Sequence, residues 1–85
     1  MNYPLPEDTP SKYLTFNRDD HYEGKTTRII ITSKRHLGVL GEVKWFGRWR
    51  CYAFFPDEQT IWNDECLNDV KECIRRLHEE RNWQP

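Results

Sequence analysis

Residues 45–56, Trp-Phe-Gly-Arg-Trp-Arg-Cys-Tyr-Ala-Phe-Phe-Pro, constrain this chain most, because six of the twelve are aromatic. That much apolar area drives burial, and Gly47 marks a turn, since Gly alone takes positive φ without steric cost. With the turn at Phe46-Gly47-Arg48, the flanks form a hairpin. Val39, Gly41, Val43 and Trp45 alternate with Leu40, Glu42 and Lys44 before it, and Trp49, Cys51, Ala53 and Phe55 alternate with Arg50, Tyr52 and Phe54 after it. A two-residue loop would pair Trp45 with Arg48 and Val43 with Arg50, mixing apolar and charged residues on one face. A three-residue loop pairs Trp45 with Trp49, Val43 with Cys51, Gly41 with Ala53 and Val39 with Phe55. It keeps the faces apart, so this register is expected.

The β-branched run at 26–33 predicts a strand before the hairpin. A turn at Lys34-Arg35-His36 then pairs Ile31 with Val39 and Ile29 with Gly41. Pro56 ends the last strand, because it donates no ladder hydrogen bond. Residues 60–62 either add a short extra strand or lead into a helix. Asn63 is the expected N-cap, with Asp64 and Glu65 favoured by the helix dipole. Cys66, Leu67, Val70, Cys73, Ile74 and Leu77 recur at helical spacing, and the helix should end near Arg81-Asn82. The expected fold class is α+β: a three-stranded antiparallel meander, open to a short extra strand, with one C-terminal amphipathic helix packed on one face. The helix should lie on Val39, Gly41, Val43, Cys51, Ala53 and Phe55, where Gly41 and Ala53 give it room.

Residues 1–24 hold Pro4, Pro6 and Pro10 and read as an extended arm, followed by a β-β-β-α domain over 25–85. Within the arm, residues 13–16 suit a short edge strand or a strap. Eighty-five residues make one modest core. No apolar run approaches the roughly 20 residues of a membrane span. The N-terminus lacks the basic and apolar regions of a signal peptide. Three Cys with no close pair predict reduced thiols in a reducing cytosol.

Net charge is −1 but segregated. Residues 1–24 carry two basic against five acidic residues, 25–50 seven against one, and 51–85 four against eight. The basic middle falls on the strands and turns, as ordinary charge mixing or as a surface for an anionic partner. In the expected register the sheet face away from the helix carries Arg28, Ile30, Leu40, Glu42, Lys44, Arg50, Tyr52 and Phe54. Ile30, Leu40 and Phe54 make an apolar patch across three strands, edged by charge. Either the arm folds over it through Leu5, Tyr13, Leu14 and Phe16, or the patch is a binding site. As a binding site it would use Arg28, Ile30, Leu40, Lys44, Arg48, Arg50, Tyr52 and Phe54.

Catalytic chemistry is thin. Cys66 and Cys73 lie about 10 Å apart along a helix, too far for a disulfide, and with Cys51 and His78 match no zinc spacing. They read as small core residues. His21, His36 and His78 sit in polar contexts, and the acidic pairs Asp19-Asp20, Asp57-Glu58 and Glu79-Glu80 have no evident pocket. No phosphate loop or nucleophile elbow appears. An enzyme, a metal and a cofactor are not expected.

The run Leu37-Gly38, Trp45, Trp49-Arg50, Tyr52, Phe54-Phe55-Pro56, Thr60, Asn63, Cys66-Leu67 and Val70 resembles a group of short uncharacterised proteins of bacteriophages and prophages. They share Trp-Arg-x-Tyr-x-Phe-Phe-Pro followed by Thr and then Cys-Leu. The resemblance spans roughly the last two thirds of the chain and brings no activity with it. It implies a phage accessory protein in the cytoplasm of a bacterial host that binds a host or phage protein; inhibitors of host defence systems are among such proteins. A homodimer is also open. The second reading is nucleic acid. Three strands and a helix resemble plant AP2-type and some integrase N-terminal DNA-binding domains, in which Arg28, Lys44, Arg48 and Arg50 would meet phosphates and bases. The greasy patch suits single strands stacked on Tyr52 and Phe54 better than a duplex.

Overall fold

Strand alternation begins earlier than residue 26. Leu14-Thr15-Phe16-Asn17-Arg18 alternates apolar and polar side chains and forms an edge strand, so the sheet has four strands. A computed structural model describes residues 4–36 and 38–82. It places β1 at Leu14–Arg18, β2 at Ile29–Ser33, β3 at Val39–Phe46, β4 at Cys51–Pro56 and one helix, α1, at Asp64–Asn82. A 3-10 turn at Pro6–Asp8 precedes them. All three strand pairs are antiparallel, in the order β1-β2-β3-β4. The meander and C-terminal helix are as expected, with β1 added. Residues 60–62 lead into the helix: Trp62 Nε1 donates to Thr60 Oγ1 at 2.8 Å, and the Trp62 ring meets Phe54 edge-on at 4.6 Å. Leu37, part of the phage-like run, lies outside the described residues, as do the chain ends at 1–3 and 83–85.

The hairpin register differs from the expected one. Phe46 pairs with Cys51, Trp45 with Tyr52, Val43 with Phe54 and Gly41 with Pro56. Four residues, 47–50, form the loop. The Trp49 N–H donates to Phe46 O at 3.1 Å and the Arg50 N–H to Gly47 O at 3.2 Å. The left-handed residue is Arg50, at φ 53°, and Gly47 is not in that region. The shift of three residues is odd, so every β4 side chain changes face. Tyr52 and Phe54 turn towards the helix, and Cys51, Ala53 and Phe55 turn away.

Between β2 and β3 the shift is two residues, which preserves the faces: Ile29 pairs with Val43 and Ile31 with Gly41. The ladder is then interrupted, because Thr32 pairs with Val39. That bulge leaves Leu40 unpaired; it is half-buried and packs on the core, with its carbonyl accepting the Asp57 N–H at 2.9 Å. Val39, expected under the helix, is exposed. Gly41 is buried, but β4 rather than the helix occupies the space beside it. A Cβ there would lie 2.9 Å from Phe55 O and 3.0 Å from both Phe54 Cε1 and Pro56 Cα.

The core comprises Leu14, Phe16, Ile29, Ile31, Val43 and Tyr52 from the sheet and Val70, Cys73 and Leu77 from α1. Asn63 caps the helix as expected, its Oδ1 accepting the Cys66 N–H at 2.8 Å. Leu67 departs from the expected stripe and is exposed.

The described start of the arm, residues 4–11, lies on the helix side of the sheet, while its later residues form β1 and reach Arg28 on the opposite face through Asp19. Its 3-10 turn packs against α1 and β1, with Pro6 and Thr9 buried. Ser11 Oγ donates to Asp69 Oδ2 at 2.6 Å, and Arg76 Nη1 donates to Leu5 O at 3.2 Å. Arg18 clamps the assembly. Its Nη2 meets Glu7 Oε1 at 2.8 Å and the buried Glu80 Oε2 at 2.6 Å, joining arm, sheet and helix.

Candidate binding face

The sheet face away from α1 has two halves of different chemistry. On β1 and β2 it is polar and internally satisfied. Asn17 Nδ2 donates to Ile30 O at 3.1 Å and to Thr32 Oγ1 at 3.2 Å. Ile30 is half-buried on this half. Arg28 bridges Asp19 Oδ2 and Glu42 Oε1, both at 2.8 Å. These bonds push the guanidinium further above its ordinary value, and the bonds from Arg28 hold the carboxyls of Glu42 and Asp19 below theirs. Lys44 reaches the same Glu42 at 3.7 Å.

On β3 and β4 the face is aromatic. Phe46 and Phe55 meet edge-to-face at 6.0 Å, and Phe46 meets Trp49 at 4.8 Å. Trp49, on the hairpin turn, is 69% exposed. Lys44 Nζ stands 5.0 Å from the centroid of the Phe55 ring. Arg48 and Arg50 flank Trp49 and are exposed, and neither has an ion pair among the described residues. Local sequence explains the geometry. The four-residue loop brings Trp49 back over Phe46, and both arginines lie on the same turn.

Of the eight residues expected on this face, Arg28, Ile30 and Lys44 lie on it, and Arg48 and Arg50 lie at its end. Tyr52, Phe54 and Leu40 do not. Tyr52 is 5% exposed. Its hydroxyl accepts the Thr27 N–H at 3.2 Å, and its ring meets Trp45 and His78 edge-on, each at 5.3 Å. Phe54 packs on the core beside Trp62, and the bulge draws Leu40 there too. Phe46, Trp49 and Phe55 take their place. Trp49 left a signal: a large aromatic between two arginines next to a Gly turn belongs on a loop as readily as on a strand.

The chain is 32% identical over 71 residues to an uncharacterised 9.3 kDa protein of Acholeplasma phage L2. The match covers 84% of this chain and 91% of the phage protein. The chain belongs to that phage protein's family. No family model matches the sequence, and no solved structure matches it.

In this member of the phage family the helix side offers little reactive chemistry. Burial pushes the Cys73 thiol up to about 12 and also raises that of Cys66, while Cys51 is half-buried on the aromatic half of the outer face. His78 Nε2 accepts the Tyr52 N–H at 3.3 Å, so the imidazole serves the sheet edge. Arg81 lies over the Trp45 ring at 4.2 Å. Among the described residues no group of three His, Cys, Asp or Glu stands close enough to hold a metal, and no helix is long and apolar enough to cross a membrane.

Proposed function

We propose that this chain is a non-enzymatic phage accessory protein that acts in the bacterial cytoplasm by binding a host or phage protein. Its contact surface is the β3–β4 half of the open sheet face, with Trp49, Phe46 and Phe55 as anchors and Lys44, Arg48 and Arg50 around them. The carrying observation is the largely exposed Trp49 ring set edge-on against Phe46, between two arginines without acidic partners among the described residues. Trp and Arg are the residues in which interface energy concentrates, and the ring is held in place before any partner arrives. The relative from Acholeplasma phage L2 supports the phage setting. Blocking a host defence protein is a task such a surface can serve. Nucleic acid is the weaker reading, because Arg28 is neutralised by Asp19 and Glu42 and Lys44 shares Glu42, which leaves few cations for phosphate on this face.

Affinity capture from host cells, infected and uninfected, tests the reading. Wild type should retain a defined protein, and Trp49→Ala should weaken its binding by about 2 kcal/mol or more. A gel shift with mixed single- and double-stranded oligonucleotides at roughly physiological salt should show no specific complex. A tight, salt-sensitive shift abolished by charge reversal at Lys44, Arg48 and Arg50 would replace the protein-binding reading with the nucleic-acid one.

A further inference from the structure

The far end of the sheet, diagonal to the Trp49 turn, is where β1 begins, β2 ends and the chain crosses to β3. Lys12, Tyr13, Ser33, Lys34, Arg35 and His36 line a concave pocket there of about 520 Å³. No Asp or Glu lines it, and neither Lys12, Lys34 nor Arg35 has an ion pair among the described residues. Arg18, Arg28, Arg75 and Arg76 are each paired with carboxylates, whereas these three cations, like Arg48 and Arg50 at the other end of the sheet, are in no ion pair among the described residues. Like charges gathered in a concavity repel one another and draw in an anion.

The pocket is also pre-shaped. The Lys34 N–H donates to Tyr13 O at 3.0 Å and its Nζ to Ser11 O at 2.6 Å, so one cation is fixed with two N–H donors left over. Ser33 Oγ accepts the N–H groups of Arg35 and His36, both at 3.2 Å, and holds the turn that carries Arg35. Lys12 Nζ lies over the Tyr13 ring, 5.3 Å from its centroid, and Tyr13, which is 44% exposed, adds an aromatic surface to the lining. Basic side chains and an aromatic ring within one mononucleotide-sized hollow match a ligand that carries both a phosphate and a planar ring.

We propose that this pocket binds a nucleoside phosphate, with the phosphate on Lys12, Lys34 and Arg35 and the base against Tyr13. The inference is independent of the Trp49 face, which lies on other strands at the other end of the sheet. It is tested by titrating the full chain with uridine monophosphate, uridine, inorganic phosphate and a short oligothymidylate, following amide shifts. Uridine monophosphate should bind saturably, and uridine and inorganic phosphate should each bind about tenfold more weakly. Arg35→Gln and Lys12→Gln should each weaken binding about tenfold, since each removes a charge-assisted contact, and Lys71→Gln on the outer helix should leave it unchanged. Oligothymidylate binding tighter than the mononucleotide, with a steep salt dependence, assigns the phosphate to a single strand; equal or weaker binding assigns it to a free nucleotide. No saturable binding of any probe below about 1 mM, or binding indifferent to both Gln substitutions in folded protein, overturns the proposal.

Discussion

Arg18 joins three stretches of chain through one guanidinium, and its removal tests how far the arm belongs to the fold. Glu80 is 5% exposed, so Arg18→Met takes the cation from beside a buried carboxylate. The expected cost is about 2–3 kcal/mol, below that of a fully buried pair because Arg18 is itself partly open to water. Arg18→Met with Glu80→Leu should recover most of it, since a buried carboxylate that has lost the Arg18 cation is the larger penalty. Urea denaturation of the three proteins measures this, and a double variant as unstable as the single one would place the loss in packing. Gly41 is the second decisive residue. A methyl group there meets backbone atoms of β4, which cannot turn aside as a side chain can, so Gly41→Ala should cost about 1–3 kcal/mol in a thermal melt. That Gly41 is tightly enclosed was legible in the sequence; that β4 rather than α1 encloses it was not.

The elements show where the sequence was readable and where it was not. Helix α1 announced itself through a cap, an acidic first turn and a periodic stripe, three signals that agree. Strand β2 did so through its β-branched run. The β3–β4 hairpin was misread because β4 has aromatic residues on both faces, Tyr52 and Phe54 on one and Phe55 on the other, so its pattern does not fix the register. Gly47 then suggested the wrong loop, since the left-handed position fell on Arg50. The bulge at Leu40 has no sequence mark at all. The candidate face inherited these errors, losing Tyr52, Phe54 and Leu40 and gaining Phe46, Trp49 and Phe55. The corrected loop makes its own prediction. An Arg at φ 53° is strained relative to Gly, although Gly loses more chain entropy on folding. Arg50→Gly should therefore stabilise the hairpin by about 0.5 kcal/mol, seen as a rise in Tm of about 3 °C. An unchanged or lower Tm would mean that the Arg50 side chain contributes packing that offsets the strain.

Across the whole molecule, the charge segregation of the sequence is offset in space at Arg18 and Arg28 and persists at Lys34, Arg35, Arg48 and Arg50, which are in no ion pair among the described residues. Acidic Glu7 and Glu80 close on Arg18, and Asp19 joins Glu42 on Arg28, so two basic residues of the chain's first third are compensated by carboxylates. Hydrogen bonds from arginine hold the carboxyls below their ordinary values: Arg18 acts on Glu7, Arg28 on Glu42 and Asp19, and Arg75 with Arg76 takes Glu72 down to about 2. A carboxyl with a depressed folded pKa stabilises fully above its unfolded value, and the contribution disappears as pH falls through the folded one. Unfolded Asp and Glu titrate at about 4, so the contribution of these carboxyls should be flat from neutral pH to about 5 and fall from about 4.5 towards 2. The Arg28 and Arg75 pairs are solvent-facing, so salt should screen most of their share. The arm clamp is better shielded, and the deficit of Arg18→Met relative to wild type should shrink over the same acidic window as Glu7 protonates and its bond to Arg18 loses its charge. Melts of both proteins from pH 7 to about 2, at low salt and at about 0.5 M, measure the two components. A deficit constant down to the lowest pH would mean that Arg18 holds the arm by packing its stem and not by its charge.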